Sequence, residues 1–176
     1  MQKNALERVS VVFALFDRNG DGHLQAEDFE IMADDVVAAA PRSSDGAKDA
    51  MRSAFERYWS TLVTELDTDR DGSITFEEFA DCVLEPERFH DTVGEFAEAL
   101  AALGDPDGDG LVERPVFLAL MTAIGFEQDA IHALFDAFGP SESDQITVST
   151  WVAGIKDYYS PTKTGIPGDQ LVGGRA

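Results

Sequence analysis

The chain has 176 residues, 44% of them apolar and twelve of them Phe, which is ample for a packed core and too rich for a disordered acidic segment. Thirty-four acidic against thirteen basic residues give a formal charge of -21, which argues against nucleic acid or an anionic membrane surface as a partner and makes cations the natural ligand. The single cysteine, Cys82, cannot form an internal disulfide, and beside Val83 and Leu84 it reads as a small core residue.

Taken in order, the chain first shows Val9, Val12, Phe13 and Phe16 at helical spacing, which predicts a helix over residues 6–16. This run is too short to span a membrane and lacks both a strong basic leader and a small-residue cleavage site, and no other stretch approaches a span, so a cytoplasmic protein is expected. Residues 17–28 follow as an acidic loop. Asp17, Asn19 and Asp21 stand at its positions 1, 3 and 5, Gly22 at 6, His23 at 7, Gln25 at 9 and Asp28 at 12. A hard dication wants six to eight oxygens, so a chain that wraps one places side-chain oxygens on alternate residues, turns sharply at a glycine, and offers a backbone carbonyl at position 7. Asp28 is one methylene shorter than Glu, and the tighter shell it favours suits magnesium as well as calcium.

A helix over residues 26–40 leads to a loop over residues 41–46, marked by Pro41 and Gly46. A longer helix, residues 47–66, carries Met51, Phe55, Tyr58, Trp59, Leu62 and Leu66 on one face, which places Trp59 in the core. It runs into the most regular loop, residues 67–78. There Asp67, Asp69 and Asp71 hold positions 1, 3 and 5, Gly72 makes the turn, Ser73 offers its carbonyl, Thr75 stands at position 9, and Glu78 closes the shell. After the helix that starts at this loop's end, Pro86 marks a boundary. The helix over residues 87–103 then aligns Phe89, Val93, Phe96, Leu100 and Leu103, with His90 beside the stripe and no second His at a metal-ligand offset.

The third loop, residues 105–116, begins with Asp105, Asp107 and Asp109 and the turn glycine Gly110. Val116 replaces the closing carboxylate, Arg114 is expected to bring a like charge toward an ion, and Gly104 stands where the other loops have a bulky residue. Glu113, at position 9, is the candidate for a partial substitute ligand, and the loop reads as either a weak site or a metal-free one. In the fourth loop, residues 139–150, Gly139 offers no first ligand, Asp144 replaces the turn glycine and Thr150 replaces the closing Glu, so no metal is expected. Its preceding helix carries Ile131, Leu134, Phe135 and Phe138, with His132 off the apolar face and in solvent. The Gly- and Pro-rich stretch from Ser160 is not expected to be helical. It is either a flexible end or a segment docked through Ile166, Leu171 and Val172.

One register unites the four loops. Position 8 is Leu24, Ile74, Val112 and Ile146, and position 13 is Phe29, Phe79, Phe117 and Trp151, an aliphatic and an aromatic anchor at a fixed offset in every copy. The position-8 residues are expected to pair as short strands, two loops at a time. The pattern is that of the EF-hand, and the fold class is all-α: four helix-loop-helix units in two pairs, a compact globule with short loop-to-loop β pairing. Hands 1 and 2 are assigned to residues 1–85, hands 3 and 4 to residues 86–160, and the tail to residues 161–176.

With the longer connection in the first pair, Asp28-Phe29-Glu30 closing the first loop and a degenerate last loop, the chain resembles the sarcoplasmic calcium-binding proteins and their bacterial relatives of the calerythrin type over roughly residues 5–160. The resemblance implies calcium buffering or transport, with sensing in some relatives. It carries ligand roles to Asp17, Asn19, Asp21 and Asp28, to Asp67, Asp69, Asp71 and Glu78, and in part to Asp105, Asp107 and Asp109. No catalytic residue and no organic cofactor is expected. An enzyme of the photoprotein type would need a large cavity lined by His, Trp and Tyr, and the three His residues lie off the apolar faces. The expected ligand is Ca2+, with Mg2+ possible at the first loop, bound by a monomer that buffers calcium. The alternative is a sensor that exposes an apolar groove to a protein partner, against which stands the presence of only four Met.

Overall fold

Each acidic loop separates two helices. The computed structural model describes residues 2–84, 86–160 and 162–172. Among them the helices are α1 (Gln2–Phe16), α2 (Ala26–Ala38), α3 (Asp45–Leu66), α4 (Phe76–Leu84), α5 (Pro86–Leu103), α6 (Arg114–Ile124), α7 (Gln128–Ala137) and α8 (Val148–Tyr158), with strands β1 (Leu111–Glu113) and β2 (Gln145–Thr147). Helix α3 starts two residues before the expected boundary because Ser44 caps it, its Oγ accepting from the Ala47 N–H at 3.1 Å. The side chains of Cys82, Val83 and Leu84 lie outside the described residues.

The loops pair as the register requires. Leu24 and Ile74 exchange backbone hydrogen bonds of 2.8 and 2.9 Å, and β1 and β2 run antiparallel with Val112 opposite Ile146. The position-13 anchors form the centre of each half, where Phe29, Phe79, Phe117 and Trp151 are all buried. In the first half, Phe16 stacks on Phe29 with centroids 4.9 Å apart and Phe29 meets Tyr58 at 5.8 Å. Trp59 is half-buried, its ring 5.3 Å from that of Phe29. In the second half, Phe117 lies 4.8 Å from Trp151 and 5.2 Å from Phe135. Full burial of each such ring contributes about 1.5–3 kcal/mol.

The halves pack against each other through α5 on α3 and α6 on α2, and Phe96 of α5 inserts its ring 5.1 Å from Phe55 and 5.7 Å from Tyr58. An apolar cavity of about 70 Å³ lies at this junction, lined by Val12, Phe16, Met32, Phe96, Trp151 and Tyr158 among others, with no His among its described lining residues.

The tail takes the docked alternative, with Leu171 buried, and corrects the sequence reading only in being helical. Residues Pro167–Leu171 form a 3-10 helix, with Pro167 in its first turn, where a missing N–H costs nothing, and Leu171 buried. Gly168 is needed there because a Cβ would stand 2.7 Å from Tyr158 Cδ2. The tail is held by Arg8, a fully buried residue of α1. Its Nε donates to the Tyr158 carbonyl, one Nη to Asp169 Oδ1 and the other to the Ser160 carbonyl, each at 2.8 Å, and the last also reaches the Lys163 carbonyl at 3.2 Å. Tyr158 Oη returns a bond to the Arg8 carbonyl at 2.9 Å.

Candidate metal centre

Loops 1, 2 and 3 have the same wrapped geometry. In each, the position-1 carboxylate accepts the N–H groups of positions 5 and 6, at 3.2 and 2.9 Å for Asp17, 3.2 and 3.0 Å for Asp67, and 3.1 and 2.9 Å for Asp105. The position-5 carboxylates of Asp21, Asp71 and Asp109 each accept the N–H of position 7 at 2.9 Å. The turn needs positive φ at position 6, where Gly22, Gly72 and Gly110 have 84°, 79° and 82°. It needs it again at position 4, where loop 2 has Arg70 at 58°, a strained residue that the spacing argument did not detect.

Carboxylate oxygens of Asp67, Asp69 and Asp71 lie within 4.8 Å of one another, as do those of Asp105, Asp107 and Asp109. Loop 1 brings Asp17, Asn19 and Asp21 together through the Asp21 N–H, which reaches both Asp17 and Asn19. His23 and Ser73 both occupy position 7, and the Ser73 hydroxyl turns to Asp71 Oδ1 at 3.0 Å, leaving the backbone carbonyl as the donor the pattern requires. Such a cluster of hard oxygens around a tight amide-lined turn fits a divalent cation of the calcium or magnesium kind.

The acids within each triad are unequal. The Ser73 N–H and then its hydroxyl hold Asp71 below the ordinary carboxylate range. On Asp69 the Asp71 N–H acts downward, but loss of solvent and the neighbouring Asp67 and Asp71 together outweigh it and push the group up. Loss of solvent also pushes Asp105 up, with Asp107 and Asp109 adding to it against the Gly110 N–H, while the Asp109 N–H lowers Asp107. Carboxylates set against each other in this way gain from a cation among them.

The closing residues stand outside the triads and are already engaged. Glu78 accepts from the N–H and hydroxyl of Thr68 at 3.3 and 3.1 Å, and from those of Thr75 at 3.0 and 3.2 Å. Asp28, 1% exposed, accepts from the N–H groups of Arg18 at 3.0 Å and Gln25 at 2.9 Å. Loop 3 has Val116 at this place, and Glu113, exposed at the end of β1, lies outside the Asp105 group.

Two expectations about hands 3 and 4 need correction. Arg114 does not face loop 3. Its Nε and one Nη grip Asp144 at 2.8 and 2.9 Å, that Nη also reaches Asp136 at 2.5 Å, and the guanidinium lies 4.5 Å over the Phe135 ring. His132 is half-buried rather than solvated, its Nδ1 3.3 Å from the other Arg114 Nη. Asp144 holds φ at 59° in the turn position and takes a guanidinium as its cation. The pair lowers the Asp144 pKa, so its contribution to stability is full above the unfolded value and is lost as pH falls through the folded one. An NMR titration of Asp144 is therefore expected to inflect below the ordinary carboxylate range, and R114M to return it there. The same inflection in both proteins would refute the pairing.

Gly104 is explained by packing. A Cβ there would lie 2.7 Å from Trp151 Cζ3, so G104A is expected to cost about 1–3 kcal/mol in urea unfolding without touching a carboxylate.

Residues 6–84 match the family model described as an EF-hand domain pair. Calerythrin from Saccharopolyspora erythraea is 22% identical over 162 residues, covering 88% of this chain and 92% of that protein. The structure of a Streptomyces coelicolor calcium-binding protein superposes with a TM-score of 0.72 at 26% identity, covering 89% of this chain and 98% of the other. That of an amphioxus sarcoplasmic calcium-binding protein gives 0.68 at 18% identity over 98% of each chain, a likeness of fold. Residues 6–84 are therefore an EF-hand domain pair, and over most of its length the chain is similar to calerythrin and to calcium-binding proteins of the same fold.

Proposed function

We propose that the chain is an intracellular calcium buffer, a monomer that takes calcium into loop 1 through Asp17, Asn19, Asp21, the His23 carbonyl and Asp28, and into loop 2 through Asp67, Asp69, Asp71, the Ser73 carbonyl and Glu78. Magnesium competes at loop 1, where the short Asp28 favours a tighter shell. Loop 3 binds more weakly through Asp105, Asp107, Asp109 and Glu113, for want of a closing carboxylate. Residues 1–85 form the binding pair, residues 86–160 the supporting pair, and residues 161–176 the C-terminal tail.

The observation that supports buffering over signalling is the closed core. The aromatic anchors are buried, and among the described residues Ile31 is the large hydrophobic side chain left exposed, at 39%. A second reading, a sensor, draws on the Streptomyces coelicolor protein, whose structure was solved as a basis for prokaryotic calcium-mediated regulation. Calorimetric titration of stripped protein is expected to count two tight ions, with D21N and D71N each removing one. A count that neither substitution changes would refute the assignment of the sites.

A further inference from the structure

Arg18 occupies position 2 of loop 1, next to the first ligand residue, and belongs to two structures at once. Its backbone N–H, shared with the Phe16 carbonyl at 2.8 Å, donates to Asp28 Oδ1 at 3.0 Å and so holds the closing carboxylate. Its side chain leaves the first half. One Nη donates to the Ala123 carbonyl in the last turn of α6 at 2.7 Å and lies 3.8 Å from Asp35, while Nε is buried with no partner among the described residues.

Helix α6 needs such a group. Its last turn has no basic residue of its own, and a helix ends in carbonyls without intrahelical donors and in partial negative charge, both met by a guanidinium. Gly125, the α6 C-cap at φ 119°, keeps this approach open, since a Cβ there would stand 3.0 Å from Leu15 and 3.9 Å from Arg18 Nη1. Loop 2 has no equivalent. Its position-2 residue, Thr68, turns both its N–H and its hydroxyl back on Glu78.

We infer that Arg18 is a positioning residue for the metal site in loop 1 and makes that site, unlike loop 2, answer to the packing of the second half of the molecule. The inference rests on loop 1 being a metal site. Residue 18 cannot shift to adjust Asp28 around an ion without carrying its guanidinium on α6, so a second half held in place presets the closing carboxylate. By thermodynamic reciprocity, calcium in loop 1 then stabilises α6 and the helices packed on it.

The test uses the full chain with loops 2 and 3 silenced by D67N, D71N, D105N and D109N, and with W59F so that Trp151, buried in the second half, is the one indole. Calcium affinity and the Trp151 melting midpoint, with and without calcium, are compared between this parent, R18M and R18K. R18M is expected to weaken calcium binding about tenfold, the scale of one lost charge-assisted hydrogen bond, and to shrink the calcium-induced rise in the midpoint. R18K, which keeps one donor, recovers part of both. A merely structural loss would lower the midpoint equally with and without calcium and leave the affinity within twofold of the parent, and that result overturns the inference. A parent that shows no response to calcium refutes loop 1 as a site, and the inference falls with it.

Discussion

Stripping calcium with a chelator is expected to lower the melting temperature by about 10–20 °C. Each site held at about 100 times its dissociation constant adds about 2.7 kcal/mol to the folded state, two sites add about 5, and a chain of this size gains about 2–4 °C per kcal/mol. The origin of the effect is visible in loop 2, where three carboxylates lie within 4.8 Å of one another and Asp69 is pushed above its ordinary range. Without a cation the loop is ordered against the repulsion of its own side chains. With one, the ligands are gathered, and α3 and α4 are fixed on either side of them. Binding and folding then become one equilibrium. The comparison is a pair of calorimetric scans at equal ionic strength, and coincident transitions would contradict it.

Replacing Arg8 by Met is expected to cost about 3 kcal/mol, or roughly 6–12 °C. The side chain is fully buried, and its loss leaves the carbonyls of Tyr158, Ser160 and Lys163 without that donor. Asp169, 30% exposed, can turn to water, which keeps the figure below that of a pair buried on both sides. The same change frees the 3-10 helix, so the Lys163 bond should become open to trypsin in native protein. R8K should recover little, since one ammonium cannot serve three carbonyls and a carboxylate set around a planar fork. An R8M protein that melts with the parent and resists trypsin would show that the clamp does not hold the tail.

The four hands were legible in the sequence because their geometry is local. A loop that wraps an ion needs oxygens at alternate residues and a glycine at the turn, so Asp67, Asp69, Asp71 and Gly72 state it within six residues. The anchors at positions 8 and 13 carried the same register into loop 4, where the ligand residues are absent, and Val112 and Ile146 do pair. Contacts across the chain were not legible. Arg8 meets its partners from 150 to 161 residues away, and nothing at residue 8 announces them. Arg114 was misjudged for the same reason, since its place in loop 3 suggested an ion as its neighbour while Asp144, 30 residues on, was the stronger one. The helical turn in the tail was missed because Gly and Pro forbid a long helix yet suit a single 3-10 turn, with Pro167 at its start and Gly168 against a ring.

The central claim is that calcium completes this core rather than opening it. It is tested by following a dye that fluoresces on exposed apolar surface while calcium is added to stripped protein in the presence of magnesium. A signal that falls to a low plateau as the sites fill is the predicted result, because the ion orders loops whose flanking helices bury Phe29 and Phe79. A signal that rises with calcium would mean that a groove opens on binding, and the buffer account would give way to that of a sensor.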